Sequence, residues 1–294
     1  MIDPSANINK HNEQAVQPGQ RIALHGNESF IWVNTTVMKK IGIGHDLSSI
    51  SCLIELLLSA ELNPIETLKN DPVRSIVRRV QVAGQHFVIK RYRVPAWKSW
   101  LLHQLRQSPT WREWRGTEKL MHAGRRVSIP LAKMYQPSRG HEAQVLILPY
   151  VEGASLDKLV EEAPPVQEWS DAYRNKRIAL AQAVGKQLGR LLASGIVNRD
   201  HKLSNLIMDE ACEHGGQEPI MIDPLGLRMR RSDNQVYRML ATLLRTTERA
   251  GYITPRECIT CLKAFLKMDP SFSLGGHRRR TVTIKNVLRL LGRS

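Results

Sequence analysis

Acidic residues are in short supply: 27 Asp+Glu stand against 43 Lys+Arg, a formal charge of +16 over 294 residues. The imbalance is silent on fold, but it points to an anionic partner such as nucleic acid, phosphorylated lipid or nucleotide. Cysteine is scarce as well, and four residues exclude a disulfide scaffold. Cys258 and Cys261 form a lone C-x-x-C with no second pair at zinc-site spacing. The preceding Thr254-Pro255-Arg256-Glu257 has the pattern of a helix start, with Thr254 as cap and Glu257 closing a capping box. Both cysteines then lie at i, i+3 on a helix, as small apolar residues. No long hydrophobic run is present. The most apolar stretch, Ile50 to Ala60, contains Glu55 and falls well short of the roughly 20 residues that span a bilayer. Residues 1–20 are polar and lack the apolar core of a secretory signal. They are expected to form a flexible N-terminal tail on a cytoplasmic protein. A content of 42% hydrophobic and 24% charged residues fits a globular chain of one or two domains.

What is present has an order. Arg21 to Val37 holds short alternating stretches, and Leu47 to Leu62 has the composition of a helix. Ile76–Val82 and His86–Tyr92 alternate as strands around Ala83-Gly84-Gln85, which predicts a hairpin. A helix is expected over Trp111–Ala123, ending at Gly124, followed by short strands near Leu131–Tyr135 and Gln144–Leu148. Pro149-Tyr150-Val151-Glu152-Gly153 breaks the pattern as a hinge. Beyond it the chain turns helical: Ser155–Glu162, then Ser170–Ala193 with Ile178, Ala181, Val184, Leu188, Leu191 and Leu192 at helical spacing, then Ser232–Ala250 and Pro255–Met268. Short strands intervene at Leu206–Met208 and Ile220–Ile222. The expected architecture is α+β and bilobal. A strand-rich N-lobe with one helix occupies 21–151, and a mainly helical C-lobe occupies 152–294.

The most informative segment is IVNRDHKLSNLI, residues 196–207. It resembles the protein-kinase catalytic loop H-R-D-x-K-x-x-N, with Asn198 in place of the His. Downstream, MIDPLG at 221–226 resembles the metal-binding D-F-G segment, and upstream FVIK at 87–90 resembles the V-A-I-K strand. Phosphoryl transfer asks for positioning and charge neutralisation more than for covalent chemistry. On that chemistry Asp200 would orient the attacking hydroxyl, and Lys202 would neutralise the γ-phosphate. Asn205 and Asp223 would hold Mg²⁺, which prefers oxygen ligands. Lys90 would sit on the α- and β-phosphates of ATP. It needs a carboxylate partner, and the following helix offers Glu113, in W-R-E-W much as in the R-E-W helix of bacterial sugar kinases, with Glu118 as the alternative. Glu152, in the hinge, completes the cofactor-binding set. Two features of protein kinases are missing. No G-x-G-x-x-G precedes the hairpin; the corresponding turn is taken as Lys69 to Ser75, whose backbone amides and Arg74 would cover the phosphates. No A-P-E follows Asp223, so the long segment on which peptides dock is absent, which favours a small-molecule or glycolipid acceptor.

Three further stretches resemble the lipopolysaccharide kinase family, the Kdo and core heptose kinases. They are Val80 to Tyr92, Trp97-Lys98-Ser99-Trp100 through Glu113-Trp114, and Arg231 to Leu240. The resemblance spans about Thr67 to Arg249; the first 66 residues carry nothing specific. It implies ATP-dependent phosphorylation of an inner-core sugar hydroxyl, with Mg²⁺, at the cytoplasmic face of the inner membrane. Between Lys90 and Arg126 lie ten Lys+Arg, only two acids and four of the six tryptophans. Such a mixture suits an anionic glycolipid or membrane surface, or else tryptophans packing a helix on the sheet beneath a solvated basic face. The basic runs at Arg228–Arg231 and His277–Arg280 have the character of solubilising segments. No zinc finger, helix-turn-helix or RNP-like motif appears, so no specific nucleic-acid partner is expected. Two other readings stay open: an atypical protein Ser/Thr kinase, favoured by Lys202, and a non-catalytic pseudokinase or binding scaffold, suggested by the missing glycine loop.

Overall fold

The computed structural model describes residues 20–23, 30–40, 42, 47–210, 212, 217–230, 232–250 and 253–268. Residues 1–19 of the expected tail, Arg231 and the His277–Arg280 run lie outside the described residues. The chain divides into two compact units, one made of the residues up to Arg115 with Ile129–Tyr150, the other of Gly116–Ser128 with the chain from Val151 onward.

The first unit is built on a seven-stranded antiparallel sheet. In chain order its strands are β1 (Gln20–Ala23), β2 (Phe30–Val33), β3 (Glu66–Asp71), β4 (Ser75–Val82), β5 (Gln85–Tyr92), β6 (Ala132–Tyr135) and β7 (Gln144–Pro149). Their order in space is β1-β2-β6-β7-β5-β4-β3. The β4–β5 hairpin turns on Ala83 and Gly84, at φ 50° and 78°, as a two-residue turn of the twist-matched kind requires. Side chains alternate across the sheet. Phe87 and Ile89, with Val145, Ile147, Met134, Ile31 and Val33, fill one face. They pack there against Val37 and Met38 of α1 (Thr35–Lys40) and Ile50, Ile54 and Leu57 of α2 (Leu47–Ala60). The opposite parity, Val88, Tyr92, Leu146 and Leu148, packs with Trp114 and Leu102, from α4 (Pro109–His122) and α3 (Ala96–Gln104). Each fully buried Leu or Ile contributes about 1.5–3 kcal/mol, so both layers are strongly driven.

Two expectations are corrected. The segment before residue 66, which carried nothing specific to a family, supplies two strands within the alternating stretch, the helix expected from Leu47, and a further helix, so the unit holds more than the one helix expected of it. The turn taken as Lys69 to Ser75 is shorter: β3 runs through Asp71, and only Pro72–Arg74 turn. This strand is polar and exposed along its length, an edge without alternation, which is why periodicity missed it. The tryptophan cluster also divides. Trp111 and Trp114 are buried, whereas Trp97 and Trp100 on α3 are 72% and 56% exposed.

The second unit is centred on α6 (Asp171–Ala193), capped by Ser170, whose hydroxyl accepts the Tyr173 amide. Val184, Leu188, Leu191 and Leu192 of this helix form a core with Leu156 and Val160 of α5 (Leu156–Glu161), with Val236, Met239, Leu240 and Leu243 of α7 (Asp233–Ala250), and with Phe265 of α8 (Pro255–Met268). The capping box ahead of α8 is made: the Glu257 amide donates to the Thr254 hydroxyl, and the Thr254 amide to the Glu257 carboxylate. Short strands edge this core: β8 (Ala154–Ser155), β9 (Ile196–Asn198), β10 (Leu206–Met208), β11 (Ile220–Met221) and β12 (Leu227–Met229). β10 pairs with β8 and β11, and β9 with β12, all antiparallel.

Candidate active site

In the first unit Lys90 lies on β5, opposite Val77 of β4, and is 8% exposed. Its ammonium donates to Glu113 Oε2 at 2.9 Å. Glu113, on α4, is 1% exposed. The Tyr92 hydroxyl donates to the same oxygen. Lys90 and Tyr92 are two residues apart on one strand, so both face the same carboxylate. Tyr92 was missed as a site residue, although that spacing carried the signal. Glu118, the alternative partner, is exposed. A buried pair of this kind holds the ammonium in a fixed place, because either charge left alone would carry a desolvation penalty of several kcal/mol.

Two findings in this unit change the expected charge picture. At the β3–β4 tip the amides of Val73 and Arg74 both donate to Asp71 Oδ1, at 2.9 and 3.0 Å. They are committed to a carboxylate, so this tip is not a nest of amides for phosphate. Nearby, Arg91 makes a two-pronged pair with Glu61, both contacts at 2.6 Å. Arg93 pairs with Glu142 at 3.0 Å. Lys133 is 2% exposed, with its ammonium 2.5, 4.7 and 5.0 Å from the ring centroids of Trp111, Trp114 and Trp32. Cation–π attraction of this sort strengthens when the cation is desolvated. It fastens the α4 residues around Glu113 to the sheet.

In the second unit the sequence from Asn198 to Asn205 forms one connected loop. Asn198 is fully buried, and its Oδ1 accepts the Asp200 amide at 3.1 Å. Gly226 packs so closely that a Cβ there would lie 2.6 Å from Asn198 Oδ1 and 2.9 Å from Asp200 Cβ. The Arg199 amide donates to the Gly226 carbonyl. His201 turns inward and is wholly buried, while Asp200 and Lys202 turn outward and pair at 2.7 Å. Burial pushes the His201 imidazole down to about 4, so it is neutral at pH 7. Asn205 Nδ2 donates to the Asp200 carbonyl at 3.0 Å.

Asn205 and Asp223 are brought together by strand pairing. Leu206 faces Met221 across β10 and β11, and the Ile222 amide donates to the Asn205 carbonyl at 2.9 Å. Asn205 and Asp223 thus lie at the same end of that ladder. Asp223 sits in the left-handed region at φ 55°, ψ 59°. Aspartate is one of the few non-glycine residues that take up this conformation readily, and it recurs at turns and functional sites. An amide oxygen and a carboxylate are hard donors, and this set fits Mg²⁺. Glu152 is exposed, on the short segment leading to β8.

A separate cluster in this unit is structural. Arg126 donates to both Asp209 oxygens, at 3.1 and 2.5 Å, and to the Glu218 carbonyl. Its guanidinium holds the Asp209 carboxyl down at about 2. Arg125 and Arg190 share the Glu218 carboxylate. With Lys90, Arg91 and Arg93, at least half of the ten cations counted between Lys90 and Arg126 are thus spent on internal pairs.

Solved structures share this arrangement of the chain as a whole. One, described as "WaaP in complex with acyl carrier protein", superposes with a TM-score of 0.53 over 80% of this chain and 92% of its own, at 16% identity. The fold is that of the protein kinases. No family model matches the sequence. A curated relative, "KEOPS complex subunit Bud32" of Pyrococcus abyssi, is 28% identical over 131 residues, 45% of this chain. The match covers 51% of that protein, so the chain spans about half the length of the curated relative. Among the described residues no helix is long and apolar enough to cross a membrane.

Proposed function

We propose that this kinase-fold chain is an ATP-dependent phosphotransferase acting on a sugar hydroxyl of lipopolysaccharide inner core, Kdo or heptose, or of a related glycolipid. The observation that carries the reading is the loop in which Asp200 and Lys202 face outward together while Asn205 and Asp223 meet at one end of β10–β11. Asp200 accepts the proton of the acceptor hydroxyl as its oxygen attacks the γ-phosphorus. The bond to the β-phosphate oxygen breaks, and ADP leaves with that electron pair. Lys202 releases Asp200 to the incoming hydroxyl and neutralises the transferred phosphoryl group. Lys90, held by Glu113, is assigned to the α- and β-phosphates. Asn205 and Asp223 would hold Mg²⁺, which supplies charge neutralisation on the phosphate oxygens.

A glycolipid acceptor is supported by the short passage from β12 to α7, with three residues between Met229 and Asp233, too few to form the long peptide-docking segment of protein kinases at this point of the chain. The exposed face of α3 supports a peripheral position on anionic lipid. Trp97, Trp100, Leu101 and Leu105 project there beside exposed Lys98 and Arg106, and the one acid between Val94 and Arg115 is the buried Glu113. The deciding experiment measures ATP consumption with and without a Kdo- or heptose-bearing acceptor. Turnover that depends on the sugar and is lost in Asp200→Ala is expected. Undiminished turnover in Asp200→Ala would remove Asp200 from its role. The match to Bud32 favours a second reading, an atypical protein kinase, and label appearing on protein with none on glycolipid would select it. No thermal shift with saturating Mg-ATP would instead select a binding scaffold.

A further inference from the structure

A cavity of about 430 Å³ in the second unit is lined by Lys119, Arg199, Leu227, Arg228, Met229 and Gln235. None of the roles assigned above uses it. Three of its six lining residues are cations, and none is a carboxylate. Lys119 comes from the last turn of α4. Arg199 follows β9, Arg228 is the middle residue of β12, and Gln235 lies in the first turn of α7. The β9–β12 ladder explains how the two arginines meet. Val197 faces Arg228, Asn198 faces Leu227, and the Arg199 amide reaches the Gly226 carbonyl. Arg199 and Arg228 are therefore diagonal neighbours on one side of the ladder, at a spacing long side chains bridge easily.

Among the described residues these three cations make no ion pair, while Asp200, next to Arg199, is paired with Lys202 at 2.7 Å, and Asp233 with Arg230 at 2.8 Å. Three like charges gathered around a concave surface repel one another, and an incoming anion relieves that repulsion. Guanidinium groups bind phosphate and carboxylate oxygens two at a time, and a lysine adds a point charge. The volume exceeds what a bare ion needs and falls within the range of small-molecule sites, about 300–1,000 Å³. Leu227 and Met229 add apolar wall, and Gln235 a group able to meet sugar hydroxyls.

We propose that this cavity is an anion-recognition site for a phosphate or carboxylate group. Its placement one peptide bond from Asp200 makes the acceptor the natural carrier of that group. The acceptor assignment rests on the function proposed above; the anion site does not.

The test uses the full chain and the double variant Lys119→Gln/Arg228→Gln, which changes two exposed side chains with no assigned role in nucleotide binding or chemistry. Thermal unfolding is followed as inorganic phosphate is titrated without nucleotide, against potassium chloride at equal ionic strength. Phosphate is expected to raise the melting temperature of the wild type and of Lys90→Met/Glu113→Gln, and to leave the cavity variant where chloride leaves it. No phosphate-specific rise in the wild type, or an equal rise in the cavity variant, overturns the site. A second measurement compares KM for a phosphate- or carboxylate-bearing sugar with that for its uncharged counterpart. An acceptor-borne anion predicts a KM raised about tenfold or more for the charged sugar alone, the loss of a hydrogen bond to a charged group, with KM for ATP unchanged. An unchanged KM beside a lost phosphate shift assigns the cavity to a free anion. Absence of turnover with any sugar counts against the proposed function, while the phosphate titration still decides the cavity.

Discussion

Gly226→Ala is the sharpest perturbation the structure offers. The new methyl would lie 2.6 Å from Asn198 Oδ1, 2.8 Å from the Asp200 amide nitrogen and 2.9 Å from Asp200 Cβ. Each separation is about 0.6–0.9 Å shorter than an unstrained contact near 3.5 Å. None of the three atoms is the far end of a flexible chain: Asn198 is fully buried and bonded to the Asp200 amide. The strain must therefore move either the Pro224–Leu227 segment or Asp200 itself. Overpacking of this kind costs about 1–3 kcal/mol, and at about 2–4 °C per kcal/mol the melting temperature falls by roughly 2–12 °C. A displacement approaching 1 Å at a reacting group costs up to about 100-fold in rate. The informative comparison is Gly84→Ala. Gly84 has φ 78° with nothing within 4 Å of a new Cβ, so its cost is backbone strain alone, about 1–2 kcal/mol. Both variants are assayed by thermal unfolding and by acceptor-dependent ATP turnover, well below either melting temperature. The expected result is similar destabilisation with turnover lost only in Gly226→Ala. Full turnover in Gly226→Ala would refute the claim that Gly226 fixes the position of Asp200.

Lys90→Met leaves the Glu113 carboxylate buried and should destabilise the chain by about 3–5 kcal/mol; adding Glu113→Gln should restore most of that stability without restoring turnover. Recovery of both, measured by denaturant unfolding and ATP consumption, would deny Lys90 a role with the nucleotide. His201, with its imidazole at about 4 rather than 6.5, binds its proton more readily in the unfolded chain. Stability should therefore rise with pH between about 4 and 6.5, by on the order of 3 kcal/mol in all, and an unfolding series across that range in His201→Leu should lose this component. Asp209, held at about 2 by Arg126, contributes stability above its ordinary value that is lost as pH falls through 4 towards 2. In Arg126→Met its titration, followed by carboxyl NMR, should return towards 3.8, and a titration still near 2 would place the cause elsewhere.

The loop from Asn198 to Asn205 was legible because the chemistry proposed for it needs particular residue types at fixed spacing, and the short strands expected on either side of it and before Asp223 are present. The hairpin and the long helix α6 were legible because each buries one face, at period two or 3.6. Elements lacking such a face were not. β3 is an exposed polar edge, and α3 buries only Ser99. The choice between Glu113 and Glu118 needed the third dimension, since both lie on α4 and only the turn facing β5 reaches Lys90. The role of Gly226 was hidden for a different reason, because a close approach leaves no trace in the periodicity of either segment that makes it.

The replacement of the usual histidine by Asn198 looks from sequence like a lost contact, but the structure turns it into a junction. Asn198 Oδ1 accepts the Asp200 amide, its Nδ2 points to the sulfur of Met221 at 3.6 Å, and its backbone amide points to the sulfur of Met239. Met221 ends β11, two residues before Asp223, and Met239 belongs to α7. One buried side chain thus ties the segment of Asp200 to the strand that leads to Asp223. An apolar residue of the same size would leave the Asp200 amide short of its acceptor, at a cost of about 1–3 kcal/mol if no water replaced it. A shorter hydroxyl would not span from β9 to that amide. What the loop requires at this position is therefore an acceptor of fixed reach rather than an imidazole, and Asn198 together with the bare Cα of Gly226 meets that requirement.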